Sequence, residues 1–439
     1  MTFNIALASL GCSKNLVDSE IMLGLLKENN YQITEDFNRA DAIIVNTCGF
    51  IVSAKEESIE TILSMAEYKK TGNCKVLVAT GCLVEKYREE LAREIPEIDG
   101  WLGTNDFHNI VSILDLKLKG NTKFSAPCRE DLYQFRMCTT PRHLAYVKIA
   151  EGCDNRCTYC LIPQMRGKYQ SKPMESIRQE VRELLSQGVK EINLIAQDST
   201  YYGMDIYGEE KLPELLKLIA EEGVPWIRLF YSYPARISKN LLNVLASYPN
   251  ICKYLDIPIQ HADDFILKRM GRHETREDLI SLIGRIRELI PQTAIRTTCM
   301  VGFPGETEKR FENLLDFVSK VKFDWLGAFT FSREEDTPAA LFSEQVPEEI
   351  KQDRYDRLMS LQTEISLENK KKWLGKTINV LIEGKSSSNP EYFIGRSQFH
   401  APDVDGVVFI KARDLKVGQF VPVTISDYDI YDLIGEIKA

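Results

Sequence analysis

Short apolar runs alternate with helix-like patterns along the N-terminal part of the chain. Apolar runs bounded by turn residues predict buried strands, and apolar residues recurring on one helical face predict the helices between them. Strands joined by helices form parallel sheets that are covered on both faces. The predicted strand and helix pairs are 5–10 with 16–28, 42–45 with 54–68, and 76–79 with 85–94. This region is therefore predicted to be an open parallel α/β sheet domain.

A second series of strand and helix patterns begins at Leu144. Ile177, Val181 and Leu184 recur on one face of the first helix of this series. Six strand and helix units are too few for the eight-unit barrel, so they predict a partial (β/α)6 barrel that is open on one side. The six predicted strands are 146–150, 192–196, 227–231, 255–259, 295–301 and 326–331.

The pattern changes again after a charged helical segment at 348–372. Short stretches with alternating apolar residues, separated by turns, predict a small OB-like β-barrel. These stretches are TINVLIEG, EYFIGRS, GVVFIKA and QFVPVTISDY. The fold class is therefore α/β, and the predicted units are residues 1–120, a linker at 121–143, a central domain at 144–370, and a β-barrel at 373–439.

Composition narrows the possible environments and ligands. The chain has 439 residues, 44% of them hydrophobic, and a formal net charge of −9. It has no apolar stretch near the roughly 20 residues of a membrane span and no basic leader, so we expect a cytoplasmic protein without a membrane partner. Eleven cysteines, an odd number, favour metal ligands or free thiols over a disulfide framework. The negative charge does not indicate a general nucleic-acid binder.

Cys153, Cys157 and Cys160 stand close together in the segment EGCDNRCTYCLIP, and we call them the loop triad. Three thiolates can hold three corners of a [4Fe-4S] cube and leave the fourth iron open, whereas structural clusters take four. A zinc site is an alternative, but it normally needs C-x2-C pairs and a fourth ligand. No histidine lies between His143 and His261. A chance group of buried thiols is the remaining alternative.

Cys12, Cys48 and Cys82 each follow a predicted strand, and we call them the N-terminal triad. The carboxyl ends of parallel strands line one crevice where ligands bind, so these thiols are expected to converge on a second iron-sulfur site. For any one of them alone, a buried structural thiol would be the better explanation. Three other cysteines break the pattern: Cys74 is interpreted as structural, and Cys128 and Cys138 are assigned no role.

The C-x3-C-x2-C spacing, with Tyr159 before the last cysteine, resembles the radical S-adenosylmethionine (SAM) superfamily. The resemblance implies that SAM fills the open iron of the loop triad's cluster and is cleaved there to a 5'-deoxyadenosyl radical. The C-terminal strands resemble a TRAM domain, which is usually a substrate-recognition module. With the three strand-end cysteines, these segments together resemble the methylthiotransferase family over nearly the whole chain.

Membership of that family implies two [4Fe-4S] clusters and two molecules of SAM. One SAM donates its methyl group to sulfur associated with the cluster of the N-terminal triad, and the second is cleaved at the loop triad. Each cluster needs an open iron, which explains why each site has three cysteines. Catalysis is thus expected to depend on the loop triad, and metal binding on both triads.

Family branches differ in substrate, which is either a tRNA adenosine or the β-carbon of an aspartate in small-subunit ribosomal protein S12. The tRNA enzymes typically read Gly-Gln-Asn-Val-Asn where this chain has AQDST at 196–200. Cys299 and Lys172 depart slightly from the ribosomal-protein pattern, away from the cysteine triads. Five segments resemble that branch: SLGCSKNLVDSE, IPQMRGKYQSKP, IAQDSTYYGMDIYG, KYLDIPIQHADDFILKRMGR and RTTCMVGFPGET.

The charge of the C-terminal unit agrees with a protein substrate. Residues 373–439 contain seven Lys or Arg against nine Asp or Glu. A module that grips RNA should be basic, whereas an acidic one complements a basic ribosomal protein. Charge alone would leave both substrates open, because these side chains could simply form a solvated face.

Four further residues are candidate cofactor contacts. Arg166 follows the loop triad closely enough for its guanidinium to meet a carboxylate of SAM or substrate; a salt bridge at the barrel rim is the equal alternative. Gln197 and Gln260 end predicted strands, where polar groups could hold SAM. Gly302 begins a tight turn in which the backbone could approach the cofactor, although a structural turn explains it as well.

Overall fold

The computed structural model describes residues 2–121 and 124–437. Its N-terminal part is a five-stranded parallel sheet in the order β2-β1-β3-β4-β5. The strands are β1 Asn4–Ser9, β2 Gln32–Ile33, β3 Ala42–Thr47, β4 Val76–Gly81 and β5 Gly100–Leu102. The helices are α1 Ser13–Glu28, α2 Val52–Ala66, α3 Tyr68–Thr71, α4 Cys82–Glu94 and α5 Ile110–Leu114.

Both faces of this sheet are buried, because successive residues of β3 enter different cores. Ile44 belongs to the core that also contains Met22 of α1, and Ile43 and Val45 belong to the core that also contains Ile62 of α2. The three predicted strands and their helices are confirmed. β2 and β5 were missed because they have only two and three residues.

The central region contains six parallel strands that continue the chain order from β6 to β13. They are β6 Leu144–Lys148, β9 Glu191–Ile195, β10 Trp226–Leu229, β11 Tyr254–Asp256, β12 Ala294–Val301 and β13 Trp325–Thr330, with the small pair β7 Ala150–Glu151 and β8 Gln170–Ser171 beside them. Backbone bonds of Ile227 with Asn250 and Cys252 join the two halves. The predicted partial barrel is confirmed, and its open side lies between β6 and β13.

Amphipathic helices cover the outside of this partial barrel. Ile177, Val181 and Leu184 of α7 are buried against the strands, as their spacing predicts. The helices of this region are α6 Ile162–Arg166, α7 Met174–Ser186, α8 Leu212–Glu221, α9 Lys239–Ser247, α10 Asp264–Arg269, α11 Arg276–Leu289 and α12 Glu308–Val321. Of these, α6 lies against α4 of the N-terminal domain and not on the outside of the barrel. The charged helix α13, Glu348–Lys371, leads to the C-terminal unit.

The C-terminal unit is a closed barrel in the order β14-β15-β16-β18-β17. Its strands are β14 Thr377–Lys385, β15 Tyr392–Ser397, β16 Val408–Lys411, β17 Phe420–Tyr428 and β18 Leu433–Glu436. The four predicted strands are confirmed, and β18 is an addition that pairs with β16 and β17 to close the barrel. Short 3₁₀ or π turns elsewhere span Phe37–Arg39, Phe107–Asn109, Asp115–Lys119, Arg129–Phe135, Ser199–Tyr201, Pro234–Arg236 and Pro338–Leu341.

The C-terminal barrel packs against the amino ends of the central strands. Glu191, at the start of β9, forms buried ion pairs with Arg228 and with Arg396 of the C-terminal barrel. The indole N–H of Trp325, at the start of β13, donates to the Phe399 carbonyl at 2.9 Å. This contact leaves the carboxyl ends of the strands for the N-terminal domain.

Part of the segment 121–143 packs firmly onto its neighbours. Arg136 forms buried ion pairs with Glu20 of α1 and Glu180 of α7. A Cβ at Gly24 of α1 would lie 1.2 Å from the Phe135 carbonyl oxygen, so only glycine permits this approach. Among the residues described, no helix is both long enough and apolar enough to cross a membrane.

Candidate iron-sulfur and SAM site

The N-terminal triad lies along the carboxyl edge of the N-terminal sheet. Cys12 caps α1, Cys48 follows β3 directly, and Cys82 is the first residue of α4. Helix N-termini carry partial positive charge, which favours the thiolate form that binds metals. The placement at three strand ends is the one that the sequence pattern predicts.

Two glycines let these strand ends approach one another. A Cβ at Gly11 would lie 2.8 Å from the Cβ of Cys48, and Gly11 has a φ of +85°. A Cβ at Gly81, whose φ is +100°, would lie 2.4 Å from the Asn46 amide oxygen. Left-handed backbone of this kind favours glycine. Larger residues at either position would push the triad apart.

Arg166 lies fully buried beside the N-terminal triad. Its Nε–H donates to the Cys82 Sγ at 3.3 Å, and its Nη1 pairs with Asp18 at 2.8 Å and with Glu151 at 3.1 Å. Its Nη2 donates to the Asn15 side-chain oxygen. The guanidinium is thus engaged on every side by this chain. The sequence allowed two roles for Arg166, a contact with a carboxylate of SAM or substrate and a salt bridge at the barrel rim. The structure shows ion pairs, and they lie between the N-terminal domain and the barrel.

The cations around the N-terminal triad shift its thiols unequally. Burial alone would raise the pKa of Cys12, but the charges of Lys14 and Arg166 outweigh it and lower that pKa. Burial raises the pKa of Cys82 to about 11 and also raises the pKa of Cys48, with Arg166 opposing both shifts. The charges of Cys12 and Cys48 raise the pKa of Cys82, and the charge of Cys12 raises that of Cys48, so the three thiols lie near each other.

The loop triad is held by backbone contacts after β7. Gly152 has a φ of +77°, and a Cβ there would lie 2.1 Å from the Lys168 carbonyl oxygen. The Cys153 N–H donates to the Gly167 carbonyl at 3.2 Å, and the Ile162 N–H donates to the Cys160 Sγ at 3.5 Å. These contacts fold the loop so that its three thiols face a common region.

The surroundings of the loop triad combine a carboxylate, Asp198, with a buried cation, Arg272. Burial raises the pKa of Cys153 to about 11 and that of Cys160 to about 12. The carboxylate of Asp198 adds to the first shift, and the thiol of Cys157 adds to both. Asp198 itself is held by Asn155, from within the loop, and by Arg236.

One short helix joins the two triads. α6 begins two residues after Cys160 and ends at Arg166, which contacts Cys82. Five residues of helix rise about 7.5 Å. Leu161 and Met165, at either end of this turn, pack directly against Cys82. The two triads therefore face one shared region between the N-terminal domain and the barrel.

Gln197 and Gln260 leave buried oxygens without a partner at the carboxyl ends of β9 and β11. The Gln197 Nε2–H donates to Glu151 at 2.7 Å, while its Oε1 has no hydrogen bond to the described residues. Gln260 adopts a φ of +66°, and its Oε1 is likewise unpaired within the part of the chain that the structure describes. Buried polar atoms are nearly always paired, so these oxygens suit a bound ligand with N–H or O–H donors.

Gly302 occupies the tight turn after β12. Its φ is +72°, and its N–H donates to a Glu306 carboxylate oxygen at 2.6 Å. A Cβ there would lie 2.2 Å from the Lys351 side chain. The protein's own groups therefore hold this turn. A contact between Gly302 and SAM remains a prediction.

Both triads fit iron-sulfur clusters in the chemistry of their donors. Each offers three thiols that interact electrostatically with one another at the edge of a buried polar region. Within residues 2–121 and 124–437, no three His, Cys, Asp or Glu side chains converge closely enough to hold a single metal ion. In a cube each thiolate binds its own iron, so this donor set does not need to converge on one point.

Three known domain families match successive parts of the chain. Uncharacterized protein family UPF0004 matches residues 4–103, the Radical SAM superfamily matches 147–318, and the TRAM domain matches 374–437. A "Ribosomal protein uS12 methylthiotransferase RimO" from Desulforamulus reducens is 51% identical over 99% of both chains. One with the same name from Clostridioides difficile is 50% identical over 99% of this chain and 98% of its own. The chain belongs to the RimO family.

Solved structures of more distant proteins share the fold of this RimO family member. The radical S-adenosylmethionine methyltransferase TsrM from Kitasatospora setae superposes with a TM-score of 0.58 at 14% identity, covering 78% of this chain and 74% of its own. The cobalamin-dependent radical enzyme OxsB gives 0.52 over 84% of this chain and 56% of its own. The resemblance in fold therefore extends beyond RimO proteins to other radical SAM enzymes.

Sequence reasoning missed the polar groups that surround Arg166 in this RimO family member. Asn15 and Asp18 lie on α1, about one and two helical turns from Cys12, within the segment SLGCSKNLVDSE. Lys148 ends β6 and contacts both Asp18 and Glu151. The polar residues of α1 are visible in the sequence, but the side chains that they contact, Arg166 and Lys148, belong to another domain.

Proposed function

We propose that this chain attaches a methylthio group to the β-carbon of an aspartate in ribosomal protein uS12. The relatives named for this activity match it over nearly its full length. The observation that carries the proposal is the pair of three-thiol sites joined by the short helix α6. A methylthio transfer needs a radical site and a sulfur site that reach the same substrate carbon.

The proposed ligands follow from these two sites. The loop triad would hold one [4Fe-4S] cluster and the N-terminal triad a second, each with one iron left for SAM or sulfur. When bound, the clusters and SAM supply the electron, the radical and the methylthio group. The protein's own groups position them: Gln197 and Gln260 offer oxygens to SAM, and Arg166 holds Cys82 in place.

Burial supports chemistry with a reactive intermediate. Glu151, Arg166 and Asp18 are almost fully buried where the two domains meet. These side chains exclude water where they meet, and exclusion of water protects reactive species from side reactions. The two domains therefore act as one catalytic unit in this proposal.

The substrate of this proposal is a basic protein rather than RNA. The C-terminal barrel carries a net negative charge, which favours a cationic partner and disfavours phosphate. Exposed Asp403 contributes to that charge, and its carboxylate accepts from the Tyr146 hydroxyl at 3.4 Å. A tRNA adenosine is the alternative substrate.

The test is mass spectrometry of uS12 from cells lacking this chain. We expect the methylthio mark to vanish, to return with the intact chain, and to stay absent when Cys153, Cys157 and Cys160 are all replaced by alanine. Cys128→Ala, an exposed cysteine outside both triads, is the matched control and should restore the mark. An unchanged mark in the deletion cells, or loss of methylthioadenosine from tRNA instead, would overturn the proposal.

A further inference from the structure

Two cations lie beside the N-terminal triad, and they differ in their partners. Arg166 is held by carboxylates, an amide and a thiol of this chain. Lys14 is only 7% exposed, and its ammonium has no hydrogen bond or ion pair to any residue that the structure describes. The ammonium nitrogen is not fully enclosed, so it is accessible to an acceptor from outside the chain.

The Lys14 ammonium is fixed over an aromatic ring. Its Nζ lies 3.1 Å from the ring centroid of Tyr231, a contact that orients the charge without neutralising it. Tyr231 follows β10 and has a φ of +58°, an unfavourable conformation for a tyrosine. Its N–H donates to an Asp256 carboxylate oxygen at 3.1 Å. Backbone strain of this sort is often kept where it serves a function.

Lys14 also lies between the two halves of the site. It is two residues from Cys12 and helps to lower the pKa of that thiol against the effect of burial. On the barrel side, burial raises the pKa of Asp256, and Lys14 is among the charges that oppose the shift. The ammonium is therefore near both the sulfur side of the site and the carboxyl ends of the barrel strands.

We propose that the Lys14 ammonium binds the side-chain carboxylate of the target aspartate. This inference rests on the proposed function. The β-carbon that receives the methylthio group is bonded directly to the carboxyl carbon, so the carboxylate must sit within a few bonds of the transferred sulfur. Lys14 is a cation beside the N-terminal triad with no hydrogen bond or ion pair to the residues that the structure describes, and a charge-assisted bond there would select aspartate and fix its reacting carbon.

The test compares two uS12 peptides, one with the target aspartate and one with asparagine in its place. Their binding to the reconstituted enzyme with SAM is measured for the wild type, Lys14→Met, Lys14→Arg and Lys27→Met. We expect the wild type to prefer the aspartate peptide by about 10- to 100-fold, the range of a hydrogen bond between charged groups. Lys14→Met should bind both peptides alike, and Lys14→Arg should recover most of the preference.

Lys27→Met is the matched control, because it removes a lysine charge from the exposed far end of the same helix. It should keep the full preference. Iron content and SAM cleavage without peptide report whether each variant carries its clusters; if Lys14→Met does not, Lys14→Gln replaces it. A preference that persists in the loaded variant overturns the role of Lys14, whereas failure of the wild type to modify any uS12 peptide overturns the proposed function itself.

Discussion

The N-terminal triad and the loop triad each contain three thiols, but their electrostatic settings differ. Lys14 and Arg166 lie beside the first, and Arg166 donates directly to Cys82. After burial, the neighbours that shift the pKa of Cys153 in the second are the Asp198 carboxylate, the Cys157 thiol and the backbone and side-chain N–H groups of Asn155. The buried guanidinium of Arg272 is the cation that interacts with Cys157 of this triad. A cluster gains negative charge when it is reduced, so cations raise its reduction potential and carboxylates lower it.

This contrast matches the division of labour in the proposed function. A cluster that cleaves SAM must be a strong reductant, and the Asp198 carboxylate beside Cys153 favours this. A cluster that presents sulfur has no such requirement and can sit among positive charges that also attract a carboxylate substrate. We therefore expect the cluster of the N-terminal triad to have the higher midpoint potential.

Removing one triad at a time gives the largest expected effect. Replacing the three loop cysteines with alanine should abolish both SAM cleavage and methylthiolation, and should lower the iron content from about eight to about four per chain. Replacing Cys12, Cys48 and Cys82 should abolish methylthiolation and lower iron equally, yet leave SAM cleavage measurable. The measurements are iron analysis and chromatography of 5'-deoxyadenosine after anaerobic reconstitution.

Each of these variants also isolates one cluster for redox titration. The potential of the cluster left in the N-terminal triad should exceed that of the cluster left in the loop triad. Equal potentials, or the reverse order, would remove the electrostatic contrast between the sites. Cys74→Ala, a buried cysteine outside both triads, should keep about eight irons and serves as the control.

Arg166 provides the next test, because it links the charge of one site to the contact between domains. Arg166→Met removes a hydrogen bond to Cys82 and leaves Asp18 and Glu151 buried without that partner. We expect the midpoint potential of the N-terminal cluster to fall by on the order of 50 mV. Folding stability should fall by about 3 kcal/mol, as for other broken buried ion pairs.

Arg166→Lys separates the two effects of that substitution. It keeps the positive charge but loses the fork of donors, so the potential should change little while stability still falls. Potentiometric titration is done in the background that lacks the loop cysteines. A potential unchanged in Arg166→Met would show that the guanidinium only joins the domains.

The sequence predicted elements that lie in clear apolar runs or stripes, and missed strands without one. The six barrel strands and the stripe on α7 were predictable for this reason, even though β11 has only three residues. β2, β5 and β18 have between two and four residues and were missed. Their pairing depends on neighbouring strands that are already in place.

The candidate site divides in the same way. The spacing of Cys153, Cys157 and Cys160 lies within one loop and could be recognised directly, and the N-terminal triad could be recognised from its strand ends. The partners of Arg166 could not, because they belong to α1, β6 and β7 and meet only after the domains have docked. Contacts between domains leave no local pattern in a sequence.

Two buried carboxyls, one beside the N-terminal triad and one at the barrel rim, differ in the direction of their pKa shifts. The effect of this difference on folding stability is the smallest that we expect. Burial alone would raise the pKa of Glu151, but Arg166 and Lys148 hold it well below its usual range. Burial raises the pKa of Glu306, at the barrel rim, to about 7, against Arg354 and two backbone N–H donors. A carboxyl whose pKa is raised by folding stabilises the fold while protonated, and that contribution is lost as the pH rises through about 7.

The free energy of unfolding of the wild type should therefore fall by about 1 kcal/mol between pH 6 and 8. The Glu306→Gln variant should not show this decrease. Glutamine keeps an oxygen that can accept from the Gly302 N–H, so the turn should persist in the variant. Chemical unfolding of both proteins across this range measures the difference. The lowered pKa of Glu151 keeps that carboxylate ionised throughout this range. Parallel curves for the two proteins would mean that Glu306 is ionised as well, and that the two carboxyls do not differ in this respect.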